Sequence, residues 1–228
     1  MREISKNFNQ ENVDFVIKLG GSLLKSKTAC KKITDILEKN RNKYRFLIFP
    51  GGGDIDNYIE NYNDEKVSLS RETFHLSTLL SLDQTALLFS NYSDNLSVAA
   101  NFTELDKLYA DNKIPILMPS QLFIALNPFR YTNRVSSDSM SLYCSYLIDA
   151  KALIVLKSID GIYDCNSTLL NTLSYAEFME IEQKCTDETF PVLLSNIKIE
   201  THIINGLTSE ALLEILETGA TKHGTKIF

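Results

Sequence analysis

Two short segments constrain this chain most. VIKLGGSLLK (Val16–Lys25) and FLIFPGGGD (Phe46–Asp54) each carry an apolar run straight into glycines and on into an amphipathic stretch. Each reads as a buried strand, a tight turn and a helix. The alternation continues. Strands are predicted over Val13–Leu19, Arg45–Phe49, Leu96–Ala100, Ile114–Met118, Ala152–Leu156 and His202–Ile204, and helices over Leu23–Asn40, Asp54–Tyr62, Arg71–Asn91, Asp138–Asp149, AEFMEIEQKC and Thr208–Thr218. NYNDEK reads as a loop. Ser136 or Ser137 reads as a helix cap, and Ser174 with Glu177 as a capping box. Strands that alternate with helices in this way require an α/β fold, a mostly parallel sheet with helices on both faces. With no repeat, low-complexity segment or evident linker, residues 1–228 are expected to form a single domain.

Composition narrows the function. With 23 basic and 29 acidic residues the net charge is −6, which argues against a nucleic acid or an anionic membrane as partner. It leaves room for a small anionic metabolite at a locally positive site. The four cysteines form no CxxC pair and the three histidines no zinc motif, so no metal-ligating set is expected and a cytoplasmic setting is. The polar N-terminus lacks a signal core, and no stretch is long and apolar enough to span a bilayer.

Both glycine clusters fall at carboxyl ends of strands, where open α/β sheets bind ligands. Bare backbone lets several N–H groups meet one anion, and the following helix adds its positive end. Neither G-x-x-x-x-G-K-[ST] nor G-x-G-x-x-G is present. The plain alternative is two tight βα turns. Lys18 weighs against it: an ammonium at the end of an apolar strand needs an anionic partner, either a structural carboxylate or a bound phosphate. Further on, VSSDSMSLYCSYLIDAKALIVLKSIDGIYD (Val135–Asp164) sets Asp138 at a helix start, where it also suits the dipole, and Asp160-Gly161 in a turn.

Taken in order, KLGGSLL, FPGGG, SSDS, DGIYD and the terminal GTKIF resemble the amino acid kinase superfamily over nearly the whole chain. FHLSTLLSLDQTALLF, PILMPSQLF, NRVSSDSMSLYCSYL and HIINGLTSEALLEIL look like its short members near the aminomethylfuran phosphate kinases. The resemblance implies a three-layer αβα sandwich on a mostly parallel sheet of about eight strands. It implies a kinase using ATP and Mg²⁺, transferring a phosphoryl group to a phosphate or carboxylate of a small metabolite, and commonly a homodimer or higher homo-oligomer. It gives Lys18 the neutralisation of the moving phosphoryl group, and Gly20, Gly21 and Ser22 the ATP phosphates. Gly51, Gly52 and Gly53 would offer N–H groups to the acceptor and the moving phosphoryl group. Asp138 would orient lysines or Mg²⁺, and Asp160, Gly161 and Tyr163 would lie along the nucleotide. Ser137 and His75 are carried to the acceptor side, with a core-edge histidine as the alternative for His75. No second catalytic lysine is assigned: Lys157 is near enough, Lys25 less suited, and solvation is the alternative for both. A nucleotide or oxyanion binder without turnover is the rival reading. Acceptor specificity is expected in loops, here Tyr62–Arg71 and Leu126–Arg134.

Overall fold

The computed structural model describes residues 13–130, 134–208 and 210–228, so most of the polar N-terminus and part of the Leu126–Arg134 loop lie outside the described residues. The elements run β1 (Phe15–Leu19), α1 (Lys27–Asn40), β2 (Phe46–Phe49), α2 (Gly53–Glu65), α3 (Arg71–Ser90), β3 (Leu96–Ala99), α4 (Leu105–Ala110), β4 (Ile114–Leu117) and α5 (Ser120–Leu126). They continue as α6 (Ser137–Leu147), β5 (Ala152–Lys157), β6 (Thr172–Leu173), α7 (Tyr175–Glu180), α8 (Phe190–Ile197), β7 (Glu200–Asn205), α9 (Glu210–Thr218) and β8 (Gly224–Ile227). The eight strands form one sheet in the order β3-β4-β2-β1-β5-β7-β8-β6. All neighbours are parallel except β7 and β8.

Alternating side chains divide the core between the two faces of this sheet. Val16, Leu47, Phe49, Leu117, Leu153, Val155 and Ile203 join α6, α7 and α8 on one side. Ile17, Leu19, Phe46, Ile48, Ile154, Leu156 and Ile204 meet α1 and α9 on the other. Sheet and two helical layers make the expected αβα sandwich. Helix α3 crosses the edge: Leu79 and Leu82 pack into the first core, Ala86 and Phe89 into the second.

Several boundaries differ from the sequence reading. The helix expected over Leu23–Asn40 is broken: Gly21–Lys25 forms a 3-10 turn, and Ser26 starts α1 by accepting a hydrogen bond from the Ala29 N–H at 3.2 Å. Helix α2 absorbs most of NYNDEK. Helix α7 stops at Glu180 although its capping box is present. Helices α4, α5 and α8 are short, and their periodicity is too brief to read.

The chain builds outward from β1 through β2 and then returns to the other flank of β1 with β5. The carboxyl ends of β2, β1 and β5 therefore surround the point where strand order reverses, and both glycine loops sit there. The two loops also press on each other. A Cβ on Gly21 would stand 2.7 Å from the Gly53 nitrogen, and one on Gly51 would stand 2.8 Å from the Gly21 nitrogen. Gly53 has φ +62°, a left-handed conformation that suits glycine. Because the atoms in the way at Gly21 are all backbone, Gly21→Ala is expected to cost about 1–3 kcal/mol in urea unfolding. The pattern recurs within one quarter of the sequence because each bare loop makes room for the other.

Candidate active site

Period-two alternation puts Lys18 on the β1 face that carries Val16, and Lys157 on the β5 face that carries Leu153 and Val155. Both face α6. At the start of that helix, Asp138 receives Lys18 Nζ at 2.5 Å on Oδ1 and Lys157 Nζ at 2.5 Å on Oδ2. Lys18 and Asp138 are buried, with side chains 4% and 3% exposed, and Lys157 is 19% exposed. The buried cluster carries two positive charges and one negative, so it is an anion-seeking centre at the base of the glycine loops.

Burial disfavours the Lys18 ammonium most strongly and holds its pKa below the ordinary value, although the Asp138 carboxylate opposes that shift. Burial also opposes the Asp138 carboxylate, but Lys18 and Lys157 together outweigh it and keep Asp138 below the usual carboxylate range. Asp138 thus stays ionised in the interior because it has two cations. Lys157, which the sequence left between the site and solvent, thus shares one carboxylate with Lys18. Lys25 is exposed and pairs with Asp54 at 2.7 Å, tying the first glycine loop to the start of α2.

The start of α6 is itself pinned by a residue the sequence did not single out. Asp187, between α7 and α8, accepts six hydrogen bonds. Four come from the N–H and Oγ of Ser136 and of Ser139, at 2.6–3.1 Å. Two come from the Thr189 and Phe190 N–H groups at 3.0 and 3.1 Å. Its charge also favours the Lys18 ammonium. A lone Asp in TDETF resembles a helix-start residue for α8, and only the fold shows that it serves two helices at once. Asp187→Ala is expected to cost about 3 kcal/mol of stability, since several charge-assisted bonds go together. It should lower turnover as well, by releasing Asp138. Urea unfolding and initial rates measured together check both.

Two clefts meet beside the cluster. One, of about 290 Å³, is lined by Gly21, Ser22, Lys25, Gly52, Gly53, Asp56 and Ser137 among others. The second, of about 170 Å³, is lined by Asp56, Glu60, Arg71, Phe74, His75 and Ser137 among others. Asp56 and Ser137 line both. His75 is buried, and burial lowers its pKa, so it is held neutral. Asp83, which shares α3 with His75, caps α5 by accepting from the Ser120 N–H at 3.0 Å and the Ser120 hydroxyl. Gln84 is exposed.

On the other flank, Asp160 follows β5 and accepts from Asn205 Nδ2 at 2.8 Å and the Tyr163 hydroxyl at 2.9 Å, which hold its pKa down. Gly161 has a packing reason, because a Cβ there would stand 2.5 Å from Thr225 Oγ1. Ser22 reaches across to Ser158 at 3.4 Å, so the first glycine loop and the KSID segment meet over the end of β5. A larger hollow of about 650 Å³, lined by Arg41, Lys43, Arg45 and Tyr109, lies at the opposite, amino ends of β2 and β4, away from the lysine cluster.

Among the described residues no group of three His, Cys, Asp or Glu side chains is placed to hold a metal ion, and no helix is long and apolar enough to cross a membrane.

Two glycine loops and a buried Lys–Asp–Lys cluster at the switch point of a parallel sheet define a phosphate-handling α/β protein. The chain matches the model of the amino acid kinase family over residues 15–205, and it belongs to that family. It is an ATP-dependent small-molecule kinase. It is 30% identical over 206 residues to the [5-(aminomethyl)furan-3-yl]methyl phosphate kinase of Methanocaldococcus jannaschii, covering 89% of this chain and 92% of that one. It is 25% identical to the uridylate kinase of Methanobrevibacter smithii, over 93% of this chain and 97% of the relative. Its fold matches the crystal structure of uridylate kinase from Archaeoglobus fulgidus with a TM-score of 0.74 at 18% identity, covering 95% of this chain and all of that one. UMP kinase from Ureaplasma parvum follows at 0.72 and 16% identity, over 95% of this chain and 99% of that one.

Proposed function

We propose that the chain moves the γ-phosphoryl group of ATP onto the phosphate of a small metabolite of the aminomethylfuran phosphate type, through Lys18, Asp138 and Lys157. The buried cluster of net positive charge is the observation that carries this reading. An oxygen of the acceptor phosphate attacks the γ-phosphorus. The new P–O bond forms as the bond to the β-bridging oxygen breaks, and ADP leaves. The acceptor oxygen is already anionic, so no general base is required, and catalysis rests on positioning and charge neutralisation. Lys18 and Lys157 offset the charge on the moving group, and Asp138 holds them in place.

In this reading Gly20, Gly21 and Ser22 take the nucleotide phosphates, and Asp160, Gly161 and Tyr163 flank the rest of the nucleotide. Gly51, Gly52, Gly53, Ser137 and His75 serve the acceptor. The donor set suits Mg²⁺ carried by the nucleotide rather than by a protein cage, since Mg²⁺ binds through few carboxylates plus substrate phosphates. Bound with the nucleotide, Mg²⁺ would supply positive charge to the phosphates during transfer. One catalytic domain over the whole chain is supported by the single shared sheet. A cytoplasmic setting fits the ATP requirement and the four free thiols.

A homodimer is part of the same reading. Leu80, Leu87 and Leu88 stand exposed along one side of α3, at 51%, 47% and 66%. A second copy of this face is the natural cover. Light scattering should report a dimer, and Leu88→Glu should shift it toward monomer.

Thermal unfolding with and without Mg-ATP tests the nucleotide site. A ligand that binds only the folded state raises the midpoint by mass action. A clear rise at millimolar Mg-ATP is expected, and an unchanged midpoint would contradict the reading.

A further inference from the structure

The second cleft carries more chemistry than a phosphate acceptor alone requires. At about 170 Å³ it is smaller than the ~300 Å³ at which drug-sized pockets begin, so it has room for one small ring. Phe74 and Met140 give that ring an apolar wall. The charged residues lining the cleft are Asp56, Glu60 and Arg71, and burial keeps His75 neutral, so the wall is net negative. A purely anionic guest would be repelled there.

Asp56 and Glu60 are one turn apart on α2, a like-charge spacing that destabilises a helix. Among the described residues neither carboxylate has a cationic side-chain partner. Among the described residues the Asp56 carboxylate accepts from the Ser81 hydroxyl alone, at 3.3 Å. Burial first, and Glu60 second, push the Asp56 carboxyl up to about 6. A cation bound between the two carboxylates would relieve both the repulsion and the desolvation.

We infer that Asp56 and Glu60 select an acceptor that carries an ammonium group on the same small ring as its phosphate. The ring lies against Phe74, the ammonium lies between the two carboxylates, and the phosphate points toward the glycine loops through the mouth that both clefts share. This rests on the reading of the cleft as the acceptor site. It deepens that reading by assigning the selection to two named side chains.

The test is calorimetric binding of two synthetic ring phosphates that differ in one group, aminomethylfuran methyl phosphate and its hydroxymethyl analogue, with ADP release measured in parallel. The amine-bearing compound should bind about 10- to 100-fold more tightly, the range for a charge-assisted hydrogen bond. Asp56→Asn and Glu60→Gln should each shrink that ratio, and Glu60 is exposed enough that its replacement leaves folding intact. Equal affinities, no binding of either compound, or a ratio untouched by both variants would overturn the inference. Selective binding without ADP release would leave the inference standing and sink the phosphotransfer reading. ADP release at the same kcat/KM with both compounds would do the reverse.

Discussion

Asp138→Asn is expected to lower the unfolding free energy by about 3–5 kcal/mol, the usual cost of removing one partner from a buried ion pair. Two ammonium groups would then face each other at the end of the sheet with no counter-ion between them. The same change should make the folded protein respond more strongly to polyanions. Pyrophosphate or ADP, added at equal concentration, should raise the midpoint of the variant more than that of the wild type, because the ligand then supplies the missing negative charge. Turnover should fall even so, since the lysines lose the carboxylate that aims them. Wild-type stability against unfolding at neutral pH would exclude this account of the cluster. The pH dependence has a definite sign. The folded-state pKa of Asp138 lies below its ordinary 3.8, so the stabilisation is present above that value and is lost as pH falls through the folded pKa.

Lys18→Met is the second large effect. The side chain keeps its length and apolar stem but loses its charge, so the buried wall stays filled. Asp138 retains Lys157, and the stability loss should be smaller than in Asp138→Asn. Catalysis is different, because Lys18 is the deeply buried cation at the end of β1 and directly beside the glycine loops. Removing one preorganised donor from such a site typically costs 10²–10³ in kcat, and removal of a full charge should cost at least about 10³. The expected signature is a fall in kcat with a modest change in KM for ATP, since the interaction strengthens as the phosphoryl group moves. A variant with near wild-type kcat would remove Lys18 from the mechanism.

Much of this arrangement was legible in the sequence because it lies in long, local patterns. The apolar runs before Gly20 and Gly51 marked the two inner strands, and the alternation of elements pointed to a mostly parallel sheet with helices on both faces. Ordered motifs then marked Lys18 and Asp138. The mutual packing of the two glycine loops was not legible, because Gly21 and Gly53 are far apart in the chain and meet only once β1 and β2 pair. Lys157 was ambiguous because a lysine that closes an apolar strand can equally face water. Its place shows only once β5 lies beside β1 and puts both lysines over one carboxylate. Asp187 left the weakest trace, since its bonds span α6 and α8 across 48 to 51 residues of sequence. The place of Lys157 also bears on the rival reading of a binder without turnover, because a second lysine stands at the site beside Lys18.

The most direct test of the central claim is phosphorus NMR of the protein with Mg-ATP and aminomethylfuran methyl phosphate. A new diphosphate ester signal, growing in step with ADP and absent with Lys18→Met, is the predicted result. ADP accompanied only by inorganic phosphate, or an unchanged spectrum with protein that binds both compounds, would contradict phosphoryl transfer at this cluster.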